Sequence, residues 1–134
     1  VGMMKHFNIK GWFLRRMRKL VKEASVESNL NAAWAAGLFD GEGSTSVLKA
    51  QRDKYAYVRM NVPQKLREVL DKFLSIVQVG KIYKHNKRDM HSLDIYKQAD
   101  VEDTLNLLWP YLSEVKKKQA LAAFERKENH NNSL

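Results

Sequence analysis

The sequence predicts an α+β domain whose antiparallel sheet is covered by helices on one face and open on the other. Two pairs of segments, 44–51 with 55–62 and 81–85 with 90–97, have strand-like composition and are joined by short polar connections. Helical patterns lie before, between and after these pairs. The predicted order is therefore helix, two strands, helix, two strands and two helices, preceded by an additional basic helix.

Composition limits the classes of function. The chain has 134 residues, of which 44% are hydrophobic, enough for one folded domain. Its 24 Lys and Arg against 15 Asp and Glu give a net charge of +9, which favours a polyanionic partner. The absence of cysteine excludes disulfides and thiolate metal sites, and the four histidines lack zinc-site spacing. No apolar run reaches the roughly 20 residues of a membrane span, so we expect an intracellular protein without a membrane partner.

The first predicted element is a basic amphipathic helix over residues 10–24. Its apolar positions are Phe13, Met17, Leu20, Val21 and Ala24, and Lys and Arg occupy the other face. The basic face is suited either to the backbone of a nucleic acid or to solvent and packing. We assign residues 1–28 to an N-terminal basic extension.

An alanine-rich run from Asn31 to Leu38 predicts the next helix, with Ser28 or Asn29 as its N-cap. Small residues four positions apart share a face and would let a second helix approach closely. These pairs are Ala32 with Ala36 and Ala33 with Gly37. Trp34 and Leu38 offer a large apolar face to the core of the domain.

Gly41 and Gly43 are expected to end this helix, because glycine tolerates the positive φ of a helix C-cap. Glu42 lies between them, beyond the last predicted turn. A carboxylate at a helix C-terminus meets the unfavourable end of the helix dipole, and a divalent cation would relieve that repulsion. The alternative is a glycine-rich helix end with a solvated acid.

The first hairpin has one apolar and one polar face. In Tyr55–Val62 the polar face carries Tyr55, Tyr57, Arg59 and Asn61. In 44–51 the register is ambiguous: either Ser44, Ser46 and Leu48 or Thr45, Val47 and Lys49 join that face, and Lys49 makes the second set chemically more attractive. Such a polar ribbon could read base edges in the DNA major groove, or it could be an ordinary solvent-facing surface.

The second half of the chain repeats the pattern. Pro63 and Gln64 are expected to break the strand, 65–77 forms an amphipathic helix, and Gly80 ends the connection that follows. In the second hairpin Lys81, Tyr83 and His85 form a polar face, and 86–89 is a basic loop. A helix around 101–112 with Pro110 near its last turn precedes a final helix over 114–126. Residues 128–134 are predicted to be a flexible polar tail.

The segment Ala35–Gly43, which reads AAGLFDGEG, resembles the LAGLIDADG motif of homing endonucleases. Together with the element order, it makes residues 29–127 similar to the αββαββα core of that family, whose sheet forms a DNA-binding saddle. The motif occurs once, and the resemblance therefore implies a homodimer whose motif helices pack on a two-fold axis. The implied interface residues are Ala32, Ala33, Ala36, Gly37 and Asp40.

The resemblance also implies the catalytic residues. Glu42 is the eighth motif residue, which in the family is an acid that binds Mg²⁺, and Mn²⁺ is expected to substitute. Gln64 occupies the place of a family glutamine that orders water near the scissile phosphate. Lys116 matches a lysine that polarises the solvent of the active site, with Lys117 and Lys118 as alternatives.

The function implied by the resemblance is site-specific cleavage of double-stranded DNA at a long pseudo-palindrome, leaving short 3′ overhangs. The expected DNA-binding residues are Ser44, Ser46, Lys49, Tyr55, Tyr57, Arg59, Asn61, Lys65, Arg67, Lys81, Tyr83, His85, Lys87 and Arg88. In the first strand the family's pattern favours the register of Ser44 and Ser46, and both registers stay open. The alternative functions are a catalytically silent DNA-binding regulator and a maturase with intron RNA as its partner. The implied compartment is the cytoplasm or nucleoid, or an organelle.

Overall fold

A computed structural model describes residues 11, 13–17, 26–50 and 54–134. Its elements are α1 (Val26–Glu42), β1 (Ser44–Ala50), β2 (Tyr55–Gln64), α2 (Arg67–Val77), β3 (Lys81–Lys84), β4 (His91–Ile95), α3 (Gln98–Leu108), a 3₁₀ turn (Trp109–Tyr111) and α4 (Glu114–Asn132). The predicted α+β class and the order of the elements are confirmed.

The four strands form one antiparallel sheet in the order β1-β2-β4-β3. The two central strands bury one face under the helices, with Val58, Met60 and Val62 from β2 and Leu93 and Ile95 from β4. The core is completed by large side chains from the helices, which are Phe39, Leu70, Phe73, Leu108 and Phe124. The opposite face of the sheet, here called the open face, is not covered by the helices and is available to a partner.

The first half of β2 extends past the end of β4, and two side-chain amides complete its hydrogen bonds. Gln98 Oε1 accepts from Val58 N at 3.1 Å, and Gln98 Nε2 donates to Val58 O at 2.9 Å. Asn131 makes the same pair of bonds to Ala56, at 2.7 and 3.0 Å. The prediction of a flexible tail is therefore wrong, because α4 continues to Asn132 and Asn131 holds the sheet.

The prediction that Pro63 breaks the second strand is also wrong, since β2 continues to Gln64 and Pro63 pairs with Ser92. The Val58 bonds to Gln98 show that even-numbered residues of β2 direct their amides toward the β4 side. The amide position of Pro63 consequently faces β1, which begins opposite Asn61 and does not reach this far. A proline here costs no ladder hydrogen bond.

Both ends of α1 differ from the prediction. The helix is already present at Val26, so Ser28 and Asn29 lie inside it, and the proposed boundary between 28 and 29 falls within one helix. At its other end the helix includes Gly41 and Glu42, and neither Gly41 nor Gly43 has a positive φ. Gly43 is required for a different reason: a Cβ there would lie 2.3 Å from Cδ1 of Phe39.

The predicted N-terminal helix lies mostly outside the described residues. Residues 13–17 are helical and dock on the domain, with the Phe13 ring 4.7 Å from that of Trp109 and Arg16 bound to Asp103 at 3.3 Å. Among the helices of the described residues, none combines the length and the apolar character needed to cross a bilayer.

Candidate catalytic site and nucleic-acid interface

The C-terminal end of α1 carries an exposed acid beside a tethered lysine. Glu42 is the last residue of the helix, and its side chain is exposed. The ammonium of Lys116, from the first turn of α4, donates to the carbonyl oxygen of Gly43 at 2.5 Å. A positive charge is thereby held beside the negative end of the helix dipole and one residue from Glu42.

Further hydrogen bonds fix α4 at this position. The Asp40 carboxylate accepts from Ser113 N at 3.1 and 3.2 Å, and Ser113 Oγ caps the helix by accepting from Lys116 N. Gln119 Oε1 accepts from Thr45 N at 3.0 Å. Asp40 was expected at a dimer interface, but its carboxylate is bound to Ser113 within the chain.

The three consecutive lysines differ in their surroundings. Lys117 Nζ lies 3.4 Å from Glu114 and 5.7 Å from the centre of the Trp109 ring. Lys118 is exposed, whereas Lys116 is half-buried against Gly43. Of the three, Lys116 is the one that contacts the segment containing Glu42.

Gln64, the third expected catalytic residue, ends β2. Because Ser44 pairs with Asn61, the start of β1 and the end of β2 lie at the same end of the sheet. Gln64 is half-buried there, opposite His91. The topology therefore brings Gln64 to the end of the sheet at which Glu42 and Lys116 meet.

The strand pairing resolves the register of β1. Ser44 and Ser46 lie opposite Asn61 and Arg59 on the open face. Lys49 instead lies opposite Ala56, which is buried under the helices, so alternation places Lys49 on the helix side. Inclusion of Lys49 among the open-face residues was therefore incorrect. Ser46 Oγ and Arg59 Nε have no hydrogen-bond partner within the described part of the chain.

Aromatic side chains line the open face. Tyr55 and Tyr57 have ring centroids 6.5 Å apart, and Tyr57 and Tyr96 are 6.1 Å apart. On β3 the Lys81 ammonium lies 5.3 Å from the centre of the Tyr83 ring. The expected mixture of tyrosine and basic residues is thus present on one surface, with Tyr55 and Tyr83 exposed.

A polar cluster at the centre of this face was missed by the sequence analysis. The buried Asp94 accepts hydrogen bonds from Asn61, Ser92 and Tyr96. Desolvation, followed by the hydrogen bond to Asp94, raises the pKa of Tyr96, which favours the protonated hydroxyl that donates to Asp94. Ser92, Asp94 and Tyr96 alternate with the apolar Leu93 and Ile95 in β4 and just after it, and this alternation was the signal that could have identified the cluster.

The remaining basic candidates surround the β3–β4 connection. Lys87 and Arg88 are exposed in this loop, and His85 is half-buried at its start. Two others have acidic neighbours within the chain: Lys65 Nζ is 3.9 Å from Asp89, and Arg67 Nε is 3.5 Å from Asp71. All four of these side chains are more than half exposed, so such pairs contribute little to stability and can exchange for a phosphate.

The exposed face of α1, which a partner could contact, contains other residues than the interface predicted from the sequence. Ala32 and Ala36 are buried within the chain and cannot form an interface. Val26 and Leu30 are 76% and 66% exposed, and they continue through the half-buried Ala33 to the exposed Gly37. Their spacing of 4, 3 and 4 residues is that of a helix–helix seam. A Cβ at Gly37 or Gly41 would meet nothing within 4 Å.

Within the described residues, no group of three or more His, Asp or Glu could hold a metal ion. Glu42 nevertheless offers an exposed carboxylate at a helix C-terminus, where backbone carbonyls also point outward. These are hard oxygen donors of the kind that Mg²⁺ prefers, and Mg²⁺ is commonly held by one or two carboxylates with substrate phosphates. Glu42 is therefore the residue at this end of α1 that could hold a divalent cation.

A family model described as LAGLIDADG endonuclease matches residues 35–126. No curated protein sequence matches the chain. The match includes the end of α1, the whole sheet and the start of α4, and so it contains Glu42, Gln64 and Lys116.

Several solved structures share the fold. One is the homing endonuclease I-CvuI with the I-CreI target in the presence of Mg, its DNA not cleaved; the TM-score is 0.68 at 24% identity, covering 81% of this chain and 73% of that chain. The archaeal intron-encoded homing endonuclease I-Vdi141I, complexed with DNA, gives 0.59 at 23%, covering 72% and 65%. The LAGLIDADG homing endonuclease I-GzeII, with its DNA target, gives 0.60 at 28%, covering 75% of this chain but 36% of that one.

Proposed function

The chain belongs to the LAGLIDADG endonuclease family and is a DNA endonuclease with the homing-endonuclease fold, and from this premise we propose that it cuts double-stranded DNA as a homodimer at a long pseudo-palindromic site. The observation that supports this proposal most directly is the position of Glu42. It is an exposed acid at the end of α1, with Lys116 bound to the carbonyl of the next residue. A dimer through α1 would bring two such acids together.

The seam on α1 supports the homodimer. Val26, Leu30, Ala33 and Gly37 are apolar or small, and no part of the described chain covers Val26 or Leu30. Two such helices related by a two-fold axis would bury these residues against each other, and the bare backbone at Gly37 would permit close approach. The C-terminal ends of the two helices, each with its Glu42, would then lie side by side.

Paired Glu42 carboxylates and the scissile phosphates would hold Mg²⁺, with Mn²⁺ as a substitute. Bound there, the cation supplies Lewis-acid stabilisation of the charge that develops on the phosphate. In the hydrolysis a water oxygen bonds to phosphorus and the bond to the 3′ oxygen breaks, which leaves a 5′-phosphate and a 3′-hydroxyl. Gln64 would orient the attacking water, and the Lys116 ammonium would stabilise the developing negative charge.

The open face supplies the DNA contacts in this proposal. Identical subunits read symmetric half-sites, so the target is pseudo-palindromic. Base and backbone contacts would come from Ser44, Ser46, Tyr55, Tyr57, Arg59, Asn61, Lys81, Tyr83 and His85, with Lys65, Arg67, Lys87 and Arg88 on phosphates. The net charge of +9 per chain favours DNA through counterion release. Cuts across the minor groove would leave short 3′ overhangs. The protein would act in a compartment that holds DNA, such as a nucleoid or an organelle.

The proposal is tested by incubating the full chain with a randomised duplex library in Mg²⁺, in Ca²⁺ or in EDTA, and by sequencing the cut ends. We expect Mg²⁺-dependent cuts with 3′ overhangs inside one pseudo-palindrome. Enrichment of bound but uncut DNA under every condition would contradict it and favour a DNA-binding regulator. Competition of that binding by structured RNA would instead favour a maturase.

A further inference from the structure

Asp94 is a buried carboxylate on the open face, so a partner bound there would contact the side chains around Asp94 and not Asp94 itself. Its Oδ1 accepts from Asn61 Nδ2 at 2.5 Å and from Ser92 Oγ at 3.0 Å, and its Oδ2 accepts from Tyr96 OH at 2.9 Å. Only 8% of Asp94 is exposed, whereas Asn61 is half-buried and directed to the open face. Asn61 and Tyr96, which is 39% exposed, are therefore the members of this cluster that DNA would contact, and Asn61 is the one whose side chain is an amide.

Chemistry fixes the direction of the hydrogen bonds in the cluster. A carboxylate offers acceptors only, so Asn61 must turn its NH₂ group, and not its carbonyl, toward Asp94. Ser92 donates its hydroxyl hydrogen to Asp94 and can therefore accept a bond from Asn61 Nδ2, at 2.5 Å. Both amide hydrogens of Asn61 are thus directed toward β4.

The remaining polar atom of the Asn61 side chain is its carbonyl oxygen, Oδ1. Both hydrogen bonds that the Asn61 side chain makes in the cluster use Nδ2, and within the described residues Oδ1 accepts none. A free asparagine reads adenine because it offers a donor to N7 together with an acceptor for the N6 amino group. Asn61 cannot offer that pair, because its donor is committed to Ser92 and Asp94.

We propose that Asp94 fixes Asn61 as an acceptor-only base reader that selects the 4-amino group of cytosine in the target half-site. The inference rests on the proposed function, in which the open face lies in the major groove. Cytosine presents there a donor without an adjacent acceptor. Adenine would place its N7 acceptor against a site that has no donor, guanine presents two acceptors, and thymine presents an acceptor and a methyl group.

Base preference in binding tests this inference without requiring cleavage. Duplexes are selected from a randomised library in Ca²⁺ with the wild-type protein and with three variants. The variants are Asn61→Ala, Asp94→Asn and Tyr96→Phe. The position at which Asn61→Ala loses its preference is the position that Asn61 reads. In wild type we expect cytosine there, favoured about tenfold over each other base, which corresponds to the usual discrimination of one good base contact.

The variants separate the role of Asp94 from general damage. Asp94→Asn presents a neutral amide that can accept or donate, so Asn61 can turn over, and the cytosine preference at that position should fall to about threefold or less. Tyr96→Phe is the matched control: it removes one bond to the same carboxylate but leaves the bonds of Asn61, and it should keep the preference. Melting temperatures of all variants report on folding.

The inference is overturned if wild type selects adenine, guanine or thymine at that position, adenine being the mark of an asparagine that is free to present both groups. It is also overturned if Asn61→Ala alters no position, if Asp94→Asn keeps the full preference, or if Tyr96→Phe loses it equally. If Asp94→Asn fails to fold, the base that the wild-type protein selects at this position decides whether the inference holds. A wild type that selects no sequence at all refutes the proposed function, and the inference with it.

Discussion

The Lys116 ammonium donates a hydrogen bond to the carbonyl oxygen of Gly43, the residue that follows Glu42, across 73 positions of sequence. The flanking bonds from Ser113 to Asp40 and from Thr45 to Gln119 join the same two segments. The first turn of α4 is therefore held against the end of α1 before any DNA binds. Such preorganisation is what electrostatic stabilisation of a transition state requires.

Replacement of Lys116 should affect catalysis more than binding. For Lys116→Gln we expect a cleavage rate lower by about 10²-fold, the usual effect of removing one group that stabilises developing charge, with DNA affinity little changed. Single-turnover cleavage with enzyme in excess measures the rate, and Lys118→Gln is the matched control, since Lys118 is exposed in the same turn. Equal losses in the two variants would assign Lys116 only a general electrostatic effect.

A large side chain at Gly37 should prevent the proposed dimer from forming without damaging the fold. A Cβ at this position meets nothing within 4 Å in the chain, and leucine favours helix more than glycine by roughly 1 kcal/mol. We therefore expect Gly37→Leu to elute as a folded monomer in size-exclusion chromatography with light scattering. Asn31→Leu adds the same side chain at an exposed site away from the seam and should remain dimeric. A dimeric Gly37→Leu protein would refute the proposed seam.

The two glycines that flank Glu42 should respond oppositely to alanine. A Cβ at Gly43 would overlap the Phe39 ring, and overpacking of this kind costs about 1–3 kcal/mol, so Gly43→Ala should melt several degrees below wild type. Gly41→Ala places its Cβ in open space within the chain and should melt at the same temperature or slightly higher. Thermal unfolding followed by circular dichroism measures both, and similar destabilisation by the two would contradict the packing described at Phe39.

Loss of the Asn131 side chain should destabilise the sheet from the far end of the chain. Asn131→Ala leaves Ala56 N and O without their partners, and unsatisfied groups of this kind cost about 1–3 kcal/mol. Asn129→Ala, at an exposed position of the same helix, is the control and should be neutral. The free energy of unfolding from urea titration distinguishes them, and equal values for both variants would mean that Asn131 contributes nothing to the edge of β2.

The elements of the fold could be predicted because their periodicity is local. Alternation in Tyr55–Val62 and helical spacing in 65–77 depend on residues close in sequence. The wrong boundaries arose where distant partners decide the outcome. Pro63 stays in a strand because β1 does not extend far enough to lie opposite it, and α4 continues past residue 127, where Asn131 bonds to Ala56. Neither partner is visible from local sequence.

The same holds for the candidate site: residues fixed by local sequence could be predicted, and those that depend on distant packing could not. Glu42 and the polar row of β2 follow from a motif and from alternation, and the structure brings Glu42 and Lys116 together. The sheet register excluded Lys49, and helix packing buried Ala32 and Ala36, because each depends on which face meets the core. The Asp94 cluster was only partly predictable, because alternation can place Ser92, Asp94 and Tyr96 on one face but does not show that Asn61 of β2 lies opposite Asp94.

The most direct test of the central claim compares wild type with Glu42→Gln on the selected target. With DNA fully bound, single-turnover rates are measured in Mg²⁺, with Glu125→Gln, an exposed acid of α4, as the control. In the proposed mechanism Glu42 holds the cation, so its replacement predicts a rate at least about 10²-fold lower, with affinity and melting temperature unchanged and Glu125→Gln equal to wild type. Cleavage at the wild-type rate by Glu42→Gln would remove Glu42 from the mechanism and contradict the proposed catalytic site.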